Sequence, residues 1–380
     1  MKYWRGYLVA AIFAACTWGF REFAQTHSKL VDMIYPYVTR LIQNFMSGWS
    51  SGADFCVWQA IVLALAVAAV ASIVLMIIFR WNPIQWFGWI VAVVSVVVLL
   101  HTGIFGMNEF AGPIAEDIRL SESDRTQEQL EAAAIYYRDQ ANALSGKVAR
   151  DSQGNAILPE LSVLNQQAES GFKNLVYENY YAVFAGSTLP VKELGMAEYF
   201  TTRGQMGYTV AITGEAAVNM EAPSFMIPFA ISREMCYRMC IASERDKHFG
   251  AFLACQANDT ELFQYAGYVM AYRYCLNALP QTVASTVASQ ANAQVRSDVD
   301  SWEVFVAPAI RLAEEAAEKA GEKPVDVDGQ VADLLVDWHY KTIVIPSITE
   351  PVVEFDPMDE SQVDLSGLPH APKKTTEEAA

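Results

Sequence analysis

The sequence predicts a mainly α-helical protein, in which three N-terminal transmembrane helices precede a mostly helical extracytoplasmic domain with at most a few short strands. Three observations predict it. Residues 53–79 and 83–100 are almost free of charge, and each is about as long as a bilayer core requires. Much of the chain beyond them is rich in strong helix formers. Only 207–225, "GYTVAITGEAAVNMEAPSF", gathers β-branched residues and turn formers into a strand-like pattern. A 53% hydrophobic content beside a net charge of -17 fits the same segregation of apolar and acidic parts.

The membrane domain is expected over 1–107, with spans at about 4–20, 55–79 and 83–103. The first, "GYLVAAIFAACTWGF", is short and lies where a signal peptide would. It is read as a retained anchor, because no small-x-small cleavage site follows and Trp4 and Trp18 suit two interfaces. The next segment, "IYPYVTRLIQNFMSGWSSGADF", suits an interfacial helix leading into the second span. Lys2, Arg5 and the Arg80 of "FRWNP" place the N-terminus and that link inside, and therefore residues from 108 outside.

The outer domain is expected over 108–346. Ser and Asp capping residues in "SESDRTQEQLEAAAIYYRDQANAL" introduce its first helix. A loop at 151–159 precedes a second helix ending near "YENYYAVFAG". Helix resumes from Phe229 to about Leu279 with a break near Ile241–Ser243, and continues over roughly 281–320 and 326–341. Residues 347–380, acidic and interrupted by proline, are expected to be a disordered tail.

Composition excludes several functions. The acidic outer part would repel a phosphate backbone, so no nucleic-acid partner is expected. Apart from Arg5 and His101 near their ends, the spans carry no Asp, Glu, Lys, Arg or His of the kind that marks an ion path. No phosphate-binding glycine loop or nucleophile motif occurs. Cys236, Cys240, Cys255 and Cys275 allow either disulfides or buried thiols.

The stretch "FAISREMCYRMCIASERDKHFGAFLAC", 229–255, resembles a zinc-peptidase helix with altered ligands. In a His-Glu-x-x-His helix, two imidazoles one turn apart grip Zn²⁺ and the Glu is general base to the bound water. Here the window reads "REMCY". Arg233 and Tyr237 stand at the histidine positions, and Glu234 at that of the base.

The surroundings resemble a bacterial membrane-protein family, domain of unknown function 3810, whose members look like zincin metallopeptidases. Its pattern is matched by Tyr35–Pro36, by "GMNE" at 106–109, by Gly214, Glu215, Ala216 and Asn219, and by Pro228–Phe229. Glu234, Glu244, Phe249 and "LAC" at 253–255 then fix the frame, and "FQYAGYVMAYRY" and "DGQVADLLVDW" follow in order. The resemblance implies a zincin-like outer domain on a bacterial cytoplasmic membrane, Glu234 at the vestigial general-base position and Glu244 at that of a third ligand. The family's turn glycine is Cys240 here, and its Ala-Asn pair is Lys247 and His248.

A guanidinium has no lone pair to offer a metal. The expectation is therefore a member that has lost zinc and hydrolysis, uses no cofactor, and keeps a binding or regulatory role toward a peptide or membrane-protein partner. If the zincin arrangement persists, Arg233 lies where the metal did, within reach of Glu234 and Glu244. An active zinc metallopeptidase with unconventional ligands is the alternative, as is a relocated zinc site built from Cys236, Cys240 and His248.

Overall fold

The computed structural model describes residues 4–121 and 125–346. The tail expected from 347 lies outside the described residues. Residues up to His339 form one compact unit, and those from Tyr340 belong to another.

Four long helices open the chain: α1 (Arg5–Thr26), α2 (Ser28–Ser50), α3 (Val57–Ile78) and α4 (Pro83–Ile104). Among the described residues, α3 and α4 are the two helices long and apolar enough to cross a membrane. α1 matches them in length but not in apolarity, so the length-and-composition argument supports two spans rather than three. α1 instead packs along α4. The contact is close enough that a Cβ at Gly6 would meet the Gly88 carbonyl carbon at 2.4 Å. Asn82 and Pro83 explain the tight link before α4. The Asn82 side chain accepts from the Ile84 and Gln85 N–H groups, and proline at the first helical position has no donor to satisfy.

Beyond a 3₁₀ turn at Gly106–Phe110 come α5 (Ile114–Asp117) and α6 (Gln127–Ser145). The cap of α6 is Thr126, one turn later than the Ser and Asp residues that the sequence suggested. Its hydroxyl accepts from the Gln129 N–H, and the Gln129 side chain accepts from the Thr126 N–H in return. The loop at 151–159 forms as expected, and α7 (Leu161–Leu175) leads through a wider turn into α8 (Tyr181–Phe184).

A small sheet follows, made of β1 (Lys192–Glu193), β2 (Gly207–Val210) and β3 (Glu215–Val218), with α9 (Ala197–Thr201) between the first two strands. β3 is central, parallel to β1 and antiparallel to β2. All four of its residues are buried. The remaining helices are α10 (Ile227–Arg238), α11 (Glu244–Gln256), α12 (Glu261–Ala278), α13 (Gln281–Ser289), α14 (Ala293–Ala320) and α15 (Val327–His339). α12 is the axis of the core, packed against α6, α11 and α15. A second break, at 258–260, separates α11 from α12.

The sheet rests on α2 and α3 through two adjacent residues. Gly214 has φ +65°, a left-handed conformation that glycine adopts without cost. A side chain there would also strike the backbone N of Ser47 in α2 at 2.5 Å. Glu215, buried, accepts the Val57 and Trp58 N–H groups at 2.8 Å each and so caps the start of α3. A carboxylate is the favoured partner for a helix N-terminus, with its unsatisfied donors and positive dipole end. The cap thus ties β3 to a helix apolar enough to span a bilayer.

Candidate functional site

α10 and α11 meet at a turn, and the site lies along that junction. α10 ends where Cys240 takes φ +70°, the left-handed conformation that a glycine would fill most easily. Thr39 of α2 donates to the Cys240 sulfur at 3.1 Å, and Arg40 donates to the Met239 carbonyl at 3.0 Å, so α2 holds the turn from outside. Ser243 then caps α11 by accepting from the Asp246 N–H, which places Glu244 in the first helical turn.

Arg233, Glu234 and Glu244 come together. One guanidinium nitrogen of Arg233 donates to Glu234 Oε1, and the other to Glu244 Oε2 at 2.5 Å. Glu234 is buried, and its second oxygen accepts from the Thr209 hydroxyl of β2 at 2.6 Å. Glu244 is half exposed and also accepts from Lys247 Nζ at 2.7 Å. The Lys247 ammonium lies 4.6 Å from the centre of the Tyr237 ring, which also stacks on Phe105 at 4.3 Å. Tyr237 is thus held by two contacts to its ring.

The electrostatics follow from this packing. Burial works against the Arg233 cation, but Glu244 and Glu234 outweigh it and hold the guanidinium even more firmly protonated than usual. Burial alone would raise Glu244, yet Arg233, Lys247 and His248 hold its carboxyl far below the ordinary carboxylate range. Burial, then the Arg233 charge, pushes His248 well below its ordinary value, so its imidazole is neutral. His248 Nδ1 lies 3.2 Å from the Tyr274 hydroxyl of α12.

A groove of about 450 Å³ opens beside this cluster. Arg233, His248 and Tyr274 line it together with Val306 and Ile310 of α14. Sequence reasoning missed Tyr274, Thr209 and α14, since only the tertiary fold brings them here. The Glu244–Lys247 spacing of three was a legible signal for that pair.

The zinc ligand sets weighed from the sequence fare differently. Arg233 donates to Glu244, while Tyr237 lies against Lys247 and Phe105. The relocated trio of Cys236, Cys240 and His248 is not assembled. Cys236 packs toward Gly250, Cys240 faces Thr39 and His248 faces Tyr274. The physical reason is that Cys240 sits in the left-handed turn after α10, where α2 holds its sulfur through Thr39. All six cysteines are free, so of the two alternatives the thiols are realised. Among the described residues, no group of three or more His, Cys, Asp or Glu side chains is placed to hold a metal ion.

A family described as Protein of unknown function (DUF3810) matches residues 31–323, more than three quarters of the chain. The chain belongs to this family. No curated protein and no solved structure matches it. Several segments that carry the DUF3810 resemblance serve the α2 junction rather than the groove. Tyr35 donates to the Thr102 carbonyl at 3.0 Å, Asn108 donates to Thr39 at 3.3 Å, and Gly214 and Glu215 seat α2 and α3.

Proposed function

We propose that this DUF3810 member is a membrane-anchored, catalytically inactive zincin-like protein whose groove has a binding or regulatory role outside the bacterial cytoplasmic membrane. The observation that carries the proposal is the Arg233 guanidinium held between Glu234 and Glu244. A cation in that place neutralises both carboxylates, as a metal would, but it activates no water. The residues present do not fit zinc, and no hydrolytic step is assigned to them.

The groove suits a peptide or a segment of a membrane protein, because apolar residues of α14 and the polar Arg233 and His248 line it together. α1 packed along α4 supports a third membrane helix, with the N-terminus inside and the domain outside. Metal analysis of the full-length protein in lipid tests the reading. Less than about one tenth of a zinc per chain is expected, where a zincin holds one tightly. Stoichiometric zinc, with peptide cleavage abolished by chelators and restored by zinc, would establish an active metallopeptidase instead.

A further inference from the structure

α2 is an amphipathic helix turned inside out. Its polar side chains face the protein: Thr39, Gln43, Ser47 and Ser50 are all buried. Gln43 donates to the Ala211 carbonyl and Ser47 to the Gly214 carbonyl, each at 2.9 Å. Its apolar side chains face outward. Met33, Tyr37, Leu41, Phe45 and Trp49 recur every fourth residue, forming one stripe together with Ile34, and Leu41 and Phe45 are 70% and 73% exposed. In water this arrangement would leave a long apolar stripe uncovered, far beyond a scattered surface residue.

The position of α2 identifies what covers it. Tyr35, near its start, is bonded to Thr102 and Gly103 at the C-terminal end of α4. Its far end leads into the cap that Glu215 places on the N-terminus of α3. α3 and α4 are consecutive spans joined by a short link, so these two ends lie on the same side of the membrane. From Tyr35 to Ser50 α2 covers a path of roughly 23 Å at 1.5 Å per residue, and therefore lies along the membrane surface.

We infer that α2 is a floor helix, with its outward stripe sunk into the outer-leaflet boundary and its polar side bonded to the domain above. The occupant of the stripe is the lipid bilayer, because both ends of the helix join segments that cross it. Such burial of an apolar face at the headgroup and acyl boundary is how amphipathic helices bind membranes. Arg40 and Thr39 of the same helix hold Met239 and Cys240, so the α10–α11 turn sits about one helix diameter, roughly 10 Å, above the lipid. This inference does not depend on the state of the zinc ligands.

Nitroxide labels test it on the full-length chain in lipid vesicles. Cys16 is the one exposed cysteine, so Cys16→Ser supplies a background in which the five buried thiols stay unlabelled. Labels at Leu41→Cys, Phe45→Cys and Met33→Cys, with Glu318→Cys as a water-facing control, are read by collision with oxygen and with a water-soluble nickel chelate. Oxygen collisions several-fold more frequent than nickel collisions at the three stripe positions, with the reverse at the control, are expected. Nickel-dominated collisions on the stripe would show it in water. Shielding from both reagents would show a protein cover, such as a second copy. Either result overturns the inference.

Discussion

Glu215 and Lys192 form a buried ion pair at 2.7 Å, and both reach from the sheet to the junction of α2 and α3. Lys192 also donates to the Ser50 and Phe55 carbonyls at 2.8 Å, while Glu215 takes the first N–H groups of α3. Removing one member of a buried pair typically costs about 3–5 kcal/mol, because the other charge stays behind. Glu215→Gln is therefore expected to destabilise the protein by roughly 3 kcal/mol. Unfolding in detergent measures the loss, and proteolysis within residues 51–56 should quicken in the same variant.

Arg233→Met should be similarly damaging, since it leaves the buried Glu234 carboxylate with only the Thr209 hydroxyl as counterpart. A loss of about 3 kcal/mol is expected. Adding Glu234→Gln should recover a large part of it, as the orphaned charge is then gone. A double-mutant cycle from thermal melts gives the coupling, and independent, additive losses would argue against an ion pair that holds the cleft.

Rebuilding the imidazoles makes the converse test. Arg233→His combined with Tyr237→His places two nitrogen donors one turn apart beside Glu244. The doubly substituted protein is expected to take up about one zinc per chain and to gain stability that a chelator removes. Elemental analysis reads the uptake, and its absence would show that the frame around these positions no longer matches a zinc site.

Acid should weaken the fold in two stages. Folded His248 refuses a proton that the unfolded chain accepts near its ordinary value of 6.5, because burial and the neighbouring Arg233 disfavour the imidazolium; Lys247 and Arg273 add to this and Glu244 opposes it. Stability is thus full above about pH 6.5 and falls as the pH drops below it. Glu244 acts lower: its contribution is present above the ordinary glutamate value and lost as the pH falls toward its depressed folded value. Being half exposed, it contributes the smaller share. A series of melts between pH 7.5 and 5 should show the decline, and His248→Asn should flatten it.

Gly214→Ala should disturb the membrane junction without touching the groove. Alanine at φ +65° is strained by roughly 1–2 kcal/mol, and its methyl would press on Ser47 of α2. A melting point unchanged within error would show that α2 does not pass against the sheet as described.

The sequence and the structure agree where a signal is local. Apolar runs gave α3 and α4, β-branched residues near 207–218 gave β2 and β3, and the turn after Arg238 falls where the helical pattern weakened. The two-residue β1 carried no such signal, because its pairing with β3 is decided by a partner more than twenty residues away. The same holds for the site. The approach of Arg233 to Glu234 and Glu244 is implied by the family resemblance, whereas Thr209, Tyr274 and the α14 residues arrive from distant segments. Glu215 was visible as a matching letter, but its work as a helix cap needed the coordinates.

That cap has a mechanical consequence. α3 has no buried side chain, so its grip on the rest of the protein is concentrated at its first turn. The same hydrogen bonds link that first turn through Glu215 to β3, across the β2 pairing to Thr209, and so to the Glu234 carboxylate. A pull on α3 would therefore be felt first at Glu215, and only through the sheet at Glu234.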